Sequence, residues 1–242
     1  MSNSPRTAIV TGASQGIGAG IVMALAARGL NIVANGRRMA DSAEVAAADN
    51  IALVEGDIGD PATAARIVET ALARFHSIDV LVNNAGIFIT KPFTDYTPDD
   101  IRQLLATNVE GFLYLTQPVI KQMLAQGTGG SIITITAALA RNPIRGVPAA
   151  VPMITKGGLE TVTQQLAIEY AKQNIRVNAV APGVVETPLH RDTPRDVMHS
   201  LSPMGRPSTV AEIADAVLYL VDAPTVTGHI LYVDGGAHVG RW

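Results

Sequence analysis

Residues 7–29, TAIVTGASQGIGAGIVMALAARG, constrain the fold more than any other stretch of the chain. A short run rich in β-branched and apolar residues reads as a buried strand. It leads into Gly12, Gly16 and Gly18, with Ser14, Gln15 and Ile17 among them, and a helix opens at the second glycine. Glycines at that spacing allow a tight turn and let a pyrophosphate approach the backbone closely. The unpaired N–H groups of the helix N-terminus then face the anion. A strand, a glycine turn and a helix in this order predict a nucleotide-phosphate site at the edge of a parallel sheet.

The rest of the chain supplies such a sheet. Strand-like runs occur at 7–12, 31–36, 51–57, 78–86, 130–137, 175–183 and 228–236. Longer segments separate them: a helix from 16 to 29 ended by Gly29, one that Pro61 starts, a long one from Pro98 to Leu124, one from Val151 to Gln173, and one over 208–221 with Ser208 as its N-cap. Near-continuous Val, Ile and Ala in the strands predict burial on both faces, as a parallel sheet between helices requires. The expected fold is α/β, a doubly wound seven-stranded parallel sheet of Rossmann type. No Pro/Gly/Ser-rich linker divides residues 1–242, so one domain is expected.

Composition narrows the function. Charged residues make up 16% of the chain and the net charge is −3, with no long basic run, which argues against nucleic acid as a partner. Cysteine is absent, which excludes thiolate chemistry and disulfides. No leader-like segment opens the sequence, and no run approaches the ~20 apolar residues of a membrane span. A cytoplasmic protein with no membrane partner is the expectation. The five histidines, at 76, 190, 199, 229 and 238, form no metal-ligand pattern, and no bound metal is expected.

The end of the second strand speaks to the cofactor. An NAD site places Asp or Glu there to hold the ribose hydroxyls. This chain has Gly36 instead, followed by Arg37 and Arg38. Loss of a carboxylate and gain of two guanidinium groups favour a 2′-phosphate, so NADP(H) is expected, with NAD(H) as the alternative.

Taken with TGASQGIG at 11–18, the motifs GDI at 56–58, NNAG at 83–86, ATNVEG around Asn108, TKGGLE at 155–160, RVNAVAPG at 176–183 and YVDGG at 232–236 make the chain resemble the short-chain dehydrogenase/reductase family. Within it, the resemblance is to the ketoacyl-carrier-protein-reductase-like members. It covers nearly the whole chain and implies an oxidoreductase acting on a small carbonyl compound or alcohol. By the same resemblance Asp57 and Ile58 would contact adenine. Asn84, Ala85 and Gly86 would lie along the cofactor, and Pro182, Gly183, Val185 and Thr187 would line the nicotinamide. A homotetramer or homodimer is implied too, with the C-terminal tail and Trp242 near a subunit interface.

In that family Asn, Ser, Tyr and Lys carry the chemistry. Asn108 and Lys156 match. The tyrosine position, four residues before the lysine and one helical turn away, holds Pro152, and the serine position holds Ala137 after Thr136. None of the five tyrosines, at 96, 114, 170, 219 and 232, falls between the fifth strand and Lys156. Pro152 suits the first turn of a helix, where a missing N–H costs nothing; a start near Val151 would put Lys156 in about the first turn. Three readings follow. The first is an NADP(H)-dependent oxidoreductase whose proton comes from a water held by Lys156 and Asn108, or from Thr136. The second is a cofactor-binding protein without redox turnover, such as a sensor or partner subunit. The third is a non-redox enzyme in the same pocket. Residues 188–208, rich in Pro, Arg and His, are expected to form a substrate lid that includes His190, Arg191, Arg195 and His199.

Overall fold

The structure is a computed structural model and describes residues 5–240. Strand β1 (Thr7–Val10) passes through the glycine turn into helix α1 (Gly16–Ala27), and β2 (Asn31–Gly36) follows. After β3 (Ile51–Glu55), α2 (Pro61–Phe75) and β4 (Val80–Asn83) come α3 (Pro98–Leu105), α4 (Gly111–Gln126) and β5 (Gly130–Ile135). The chain closes with α5 (Ala150–Tyr170), β6 (Ile175–Pro182), α6 (Arg195–Ser200), α7 (Val210–Asp222) and β7 (Ile230–Val233). The seven strands form one sheet in the order β3-β2-β1-β4-β5-β6-β7, and every pairing is parallel.

Alternation along each strand divides its side chains between two cores. Val10, Val82, Ile133, Ile135 and Val180 pack beneath α1 and α7, while Ile9, Leu81, Ile132 and Val177 meet α2, α4 and α5. The order of strands reverses at β1, whose neighbours β2 and β4 carry the chain away in opposite directions. That reversal opens a crevice at the C-terminal strand ends, the place where doubly wound sheets bind ligands.

Three local departures from the sequence expectation have physical causes. The strands are shorter than expected at their C-terminal ends, because those residues leave the ladder to build the crevice; β4 stops at Asn83 and β7 at Val233. The helix expected from Pro98 to Leu124 is interrupted by a wide turn over Ala106–Glu110, between α3 and α4. Thr209, not Ser208, caps α7: its hydroxyl accepts from Glu212 N and the Glu212 carboxylate accepts from Thr209 N, a reciprocal capping box. Ser208 instead donates to Val233 O.

The crossover from β2 to β3 contains no helix, and none is expected there from the sequence. Residues 37–50 run as turns, anchored by the buried side chains of Met39 and Val45 and by Glu55, whose carboxylate accepts from Met39 N and Ala40 N. Among the described residues no helix is long and apolar enough to cross a membrane.

Candidate active site

The glycine turn is fixed from beneath by β4. Gly12 has φ +63°, and a side-chain carbon there would lie 2.8 Å from the Ala85 Cα, so both conformation and space demand glycine. Asn84 Nδ2 donates to Thr11 O and Gly12 O at 2.9 and 3.1 Å. The Thr11 hydroxyl accepts from Asn84 N and Ala85 N. Thus Asn84, Ala85 and Thr11 hold the phosphate turn against the end of β4. Gln15 is the N-cap of α1, and the Gly16 N–H donates to the carboxylate of Glu44 at 3.2 Å. A side chain at Gly36 would press on Ser14 Cβ and Met39 Sδ, so β2 ends hard against the turn. Arg37 and Arg38 are exposed beyond it, and Arg38 meets Asp41 only at 4.0 Å.

Asp57 uses its carboxylate locally, accepting from Gly59 N, whereas Ile58 is buried against Gly111. That contact sits just after the wide turn. Turns of this kind inside helices occur frequently at functional sites. Here it carries Asn108 inward. Asn108 Nδ2 donates to Ile87 O and Thr155 Oγ1, and its Oδ1 accepts from Ile87 N. One side chain therefore ties α5 to the segment after β4.

Lys156 is the buried cation of this region. It is 8% exposed, and its Nζ donates to Ile135 O at 2.7 Å. No carboxylate among the described residues pairs with it, and burial pulls its pKa from 10.5 down to about 8. A side-chain carbon on Gly86 would come within 3.1 Å of Lys156 Nζ and 3.3 Å of Asn108 Oδ1, so only glycine leaves room in front of the ammonium. Behind it lies a cavity of about 10 Å³ lined by Thr11, Asn83, Asn108, Thr134 and Lys156. The sheet register sets Asn83 beside Thr134, whose buried hydroxyl has no protein partner. Ile58, Ala85, Phe112, Ile135 and Leu159 complete its walls, and the Thr134 hydroxyl together with that volume suits one ordered water.

Pro152 is the third residue of α5 and is buried; its carbonyl accepts from Thr155 Oγ1. The helix begins at Ala150, so Lys156 sits in the second turn, slightly deeper than a start near Val151 implies. A proline N lacking hydrogen costs nothing at such a position, because the first four N–H groups of a helix have no intrahelical acceptor. Ala137 follows the end of β5 with an extended backbone, φ −160°. Thr136 is buried, and its hydroxyl donates to Glu160 Oε1 at 3.0 Å and lies 3.4 Å from Val180 O. Burial pushes the Glu160 carboxyl above its ordinary value, against the opposing pulls of Thr136 and Arg141.

The tyrosines have other settings. Tyr96 donates to Ile89 O, Tyr114 packs against the core under α4, Tyr219 is exposed, and Tyr232 stacks on His238 with ring centroids 4.0 Å apart.

At the far side, Pro182 ends β6 and Gly183 abuts Asp234. Buried Val185 forms a parallel bridge with Ser208. Thr187 and Pro188 reach the glycine turn, about 3.4 Å from where a side chain on Gly16 would begin. Residues 188–208 continue as a short turn and α6. Burial lowers the pKa of His190 within this stretch. Among the described residues no group of three or more His, Cys, Asp or Glu is placed to hold a metal. Trp242 lies outside the described residues.

Residues 12–238 match the model of a family described as enoyl-(acyl carrier protein) reductase. The chain belongs to the short-chain dehydrogenase/reductase family. It is 33% identical to L-rhamnose 1-dehydrogenase (NAD(P)(+)) from Sphingomonas sp. (strain SKA58), over 97% of this chain and 96% of that one. It is 35% identical to the granaticin polyketide synthase putative ketoacyl reductase 2 of Streptomyces violaceoruber, over 96% of both. The crystal structure of 3-ketoacyl-(acyl-carrier-protein) reductase from Brucella melitensis complexed with NADH superposes with a TM-score of 0.92 at 32% identity, covering 98% of this chain and 100% of that one.

Several members of this short-chain dehydrogenase/reductase site carry no sequence signal of their own. Thr134 reads as one more β-branched core position, whereas Thr11 and Asn83 are marked only as the first residues of the TGASQGIG and NNAG motifs. Glu160 sits one helical turn beyond Lys156, a spacing that offered a clue. Glu44 lies in a polar connection where nothing in composition marks it.

Proposed function

We propose that this chain is an NAD(P)(H)-dependent oxidoreductase acting on a small carbonyl compound or alcohol, with Lys156 in place of the customary phenol as the proton source. The observation that carries this reading is the buried ammonium of Lys156, pulled down to about 8, which faces Gly86 and Asn108.

The site fits a dinucleotide. The glycine turn and the α1 N-terminus suit a pyrophosphate, and the clearance at Gly86 suits a ribose beside Lys156. A bound nicotinamide supplies a hydride to a carbonyl carbon or accepts one from an alcohol. Asn84 and Thr11 keep the phosphate turn in place, and Asn108 keeps Lys156 and the Gly86 segment in register. As a carbonyl is reduced, its oxygen takes a proton that Lys156 supplies. A group whose pKa lies near the working pH suits such transfer. Thr136 is the weaker donor, since its hydroxyl hydrogen is already held by Glu160. Arg37 and Arg38, with Gly36 where a carboxylate is usual, support NADP(H) over NAD(H).

Residues 188–208 act as the substrate lid in this reading, hinged where Thr187 and Pro188 meet the glycine turn. A homo-oligomer is supported by α5, whose outward face carries exposed Ile154 and Ile168 with uncharged Gly158, Thr161 and Gln165 between them and Glu169 at its end.

The test is NADPH consumption, followed by its absorbance, against a panel of ketoses, aldehydes and ketoacyl thioesters. Turnover of a panel member that Lys156→Ala abolishes supports the reading. A second reading rests on Pro152 and Ala137, which leave the substrate oxygen without its two usual hydroxyls: a dinucleotide-binding protein without redox turnover. Thermal stabilisation by NADPH with no panel member consumed would favour it.

A further inference from the structure

The phosphate turn already has an anion on it. Gly16 is the first residue of α1, and its N–H, one of the donors that a dinucleotide pyrophosphate needs, donates to the Glu44 carboxylate at 3.2 Å. The carboxylate is positioned by its own segment. Ser42 Oγ donates to Ser14 O at 2.7 Å, inside the glycine turn, and accepts from Val45 N at 3.0 Å and Glu44 N at 3.3 Å. Val45 is buried in the core beneath α1, which anchors the far end. Because the β2–β3 crossover contains no helix, this short strap lies directly against the turn. Its hydroxyl pins the strap to Ser14, and its carboxylate caps the helix end.

We propose that Glu44 is a built-in competitor for the dinucleotide phosphate, a residue that sets cofactor affinity by occupying the Gly16 N–H that the pyrophosphate requires. The inference rests on the nucleotide-binding reading above. Two like charges converge on one donor, so a dinucleotide binds by displacing the Glu44 side chain from α1 and loosening residues 42–44. Glu44 itself is exposed, so a displaced carboxylate is rehydrated at little cost. The effect is an affinity lower than the glycine turn alone would give, and it applies to NADPH and NADH alike because both carry the same pyrophosphate.

Calorimetric titration of the full chain with NADPH, NADH and inorganic pyrophosphate tests this. Glu44→Ala is expected to tighten dinucleotide binding by about three- to tenfold, the range of a charge-assisted hydrogen bond at an exposed site. Glu44→Gln should fall between Ala and wild type, because it keeps the acceptor but not the charge. Ser42→Ala, which unpins the strap, should move affinity in the same direction. Asp49→Asn removes an equal charge from the same connection, but from an exposed side chain with no bond to the turn, and should change affinity less than about twofold.

Equal or weaker binding by Glu44→Ala and Ser42→Ala overturns the competitor role while leaving the nucleotide site intact. So does a gain in Asp49→Asn as large as that in Glu44→Ala, which would reduce the effect to general charge. No binding of either dinucleotide or pyrophosphate by wild type and Glu44→Ala alike overturns the nucleotide reading and the competitor with it.

Discussion

Lys156 couples chemistry to stability. A lysine whose folded pKa is about 8, against 10.5 for the free side chain, holds its proton less firmly in the native state than in the unfolded one. Stability therefore rises as pH climbs through the window from about 8 to about 10.5, and below it the full burden is present, of order 3 kcal/mol. Lys156→Met keeps the buried stem and removes the charge, at the loss of one hydrogen bond to Ile135 O. It is expected to stabilise the protein at pH 7 by about 1–2 kcal/mol, a gain that vanishes near pH 10.5. Urea denaturation at the two pH values checks this, and the same variant should lose redox turnover. In wild type, kcat/KM for carbonyl reduction should be flat below pH 8 and fall about tenfold per pH unit above it, as the donor loses its proton. Alcohol oxidation should show the opposite trend. A reduction profile that stays level through pH 10 would remove Lys156 from the role of donor. The complementary change, Pro152→Tyr with Ala137→Ser, places hydroxyls one turn before the lysine and at the end of β5. It is expected to raise ketone reduction by about 10²–10⁴-fold and is read from initial rates with NADPH.

At the scale of elements, the wide turn between α3 and α4 matters most. A straight α-helix over Pro98–Leu124 would present a different face at Asn108 and lose the three bonds it makes to Ile87 and Thr155. Asn108→Ala is expected to cost about 2–4 kcal/mol, because it strands buried backbone and hydroxyl groups. It should also weaken dinucleotide binding, since Gly86 and Lys156 lose their common brace. Thermal melts with and without NADPH separate the two effects. Periodicity left no trace of such a turn, since Pro98 to Leu124 reads as unbroken helix; only the family resemblance at Asn108 implies a distortion there. The strands and the glycine turn were legible because burial on both faces and the phosphate turn each force a residue pattern. The contacts that hold the crossover at 37–50 were not, because single bonds from Glu55, Ser42 and Glu44 need no periodicity. Nor was the pairing of Thr136 with Glu160, a contact between residues 24 positions apart. Lys156 itself was legible from TKGGLE, and the absence of a phenol beside it could be counted from the five tyrosines. Its environment could not, since burial is a property of the packed helix.

For the whole molecule, α5 serves two sides. Its inner face holds Thr155 and Lys156 at the site, and its outer face exposes Ile154 at 64% and Ile168 at 79%. These lie 14 positions apart, close to four helical turns, so they share a stripe with Gly158, Thr161 and Gln165. On neighbouring α4, exposed Leu113 and Leu124 are about three turns apart and likewise share a face. Small uncharged residues flanked by aliphatics permit a second helix to approach closely. In a two-fold interface each contact counts twice. Ile168→Glu thus removes two buried aliphatics and introduces two charges facing one another. The expected penalty of about 3–6 kcal/mol weakens association by about 10²–10⁴-fold, which at micromolar concentration separates the subunits. Sedimentation velocity of the wild type and the variant gives the answer. A wild type that sediments as a monomer, or an oligomer that survives Ile168→Glu, removes this face from assembly. If the mass falls as expected, the consequence reaches the site: α5 loses its outer support, and Lys156, held on its inner face by Ile135 O, should bind dinucleotide less tightly in the dissociated form.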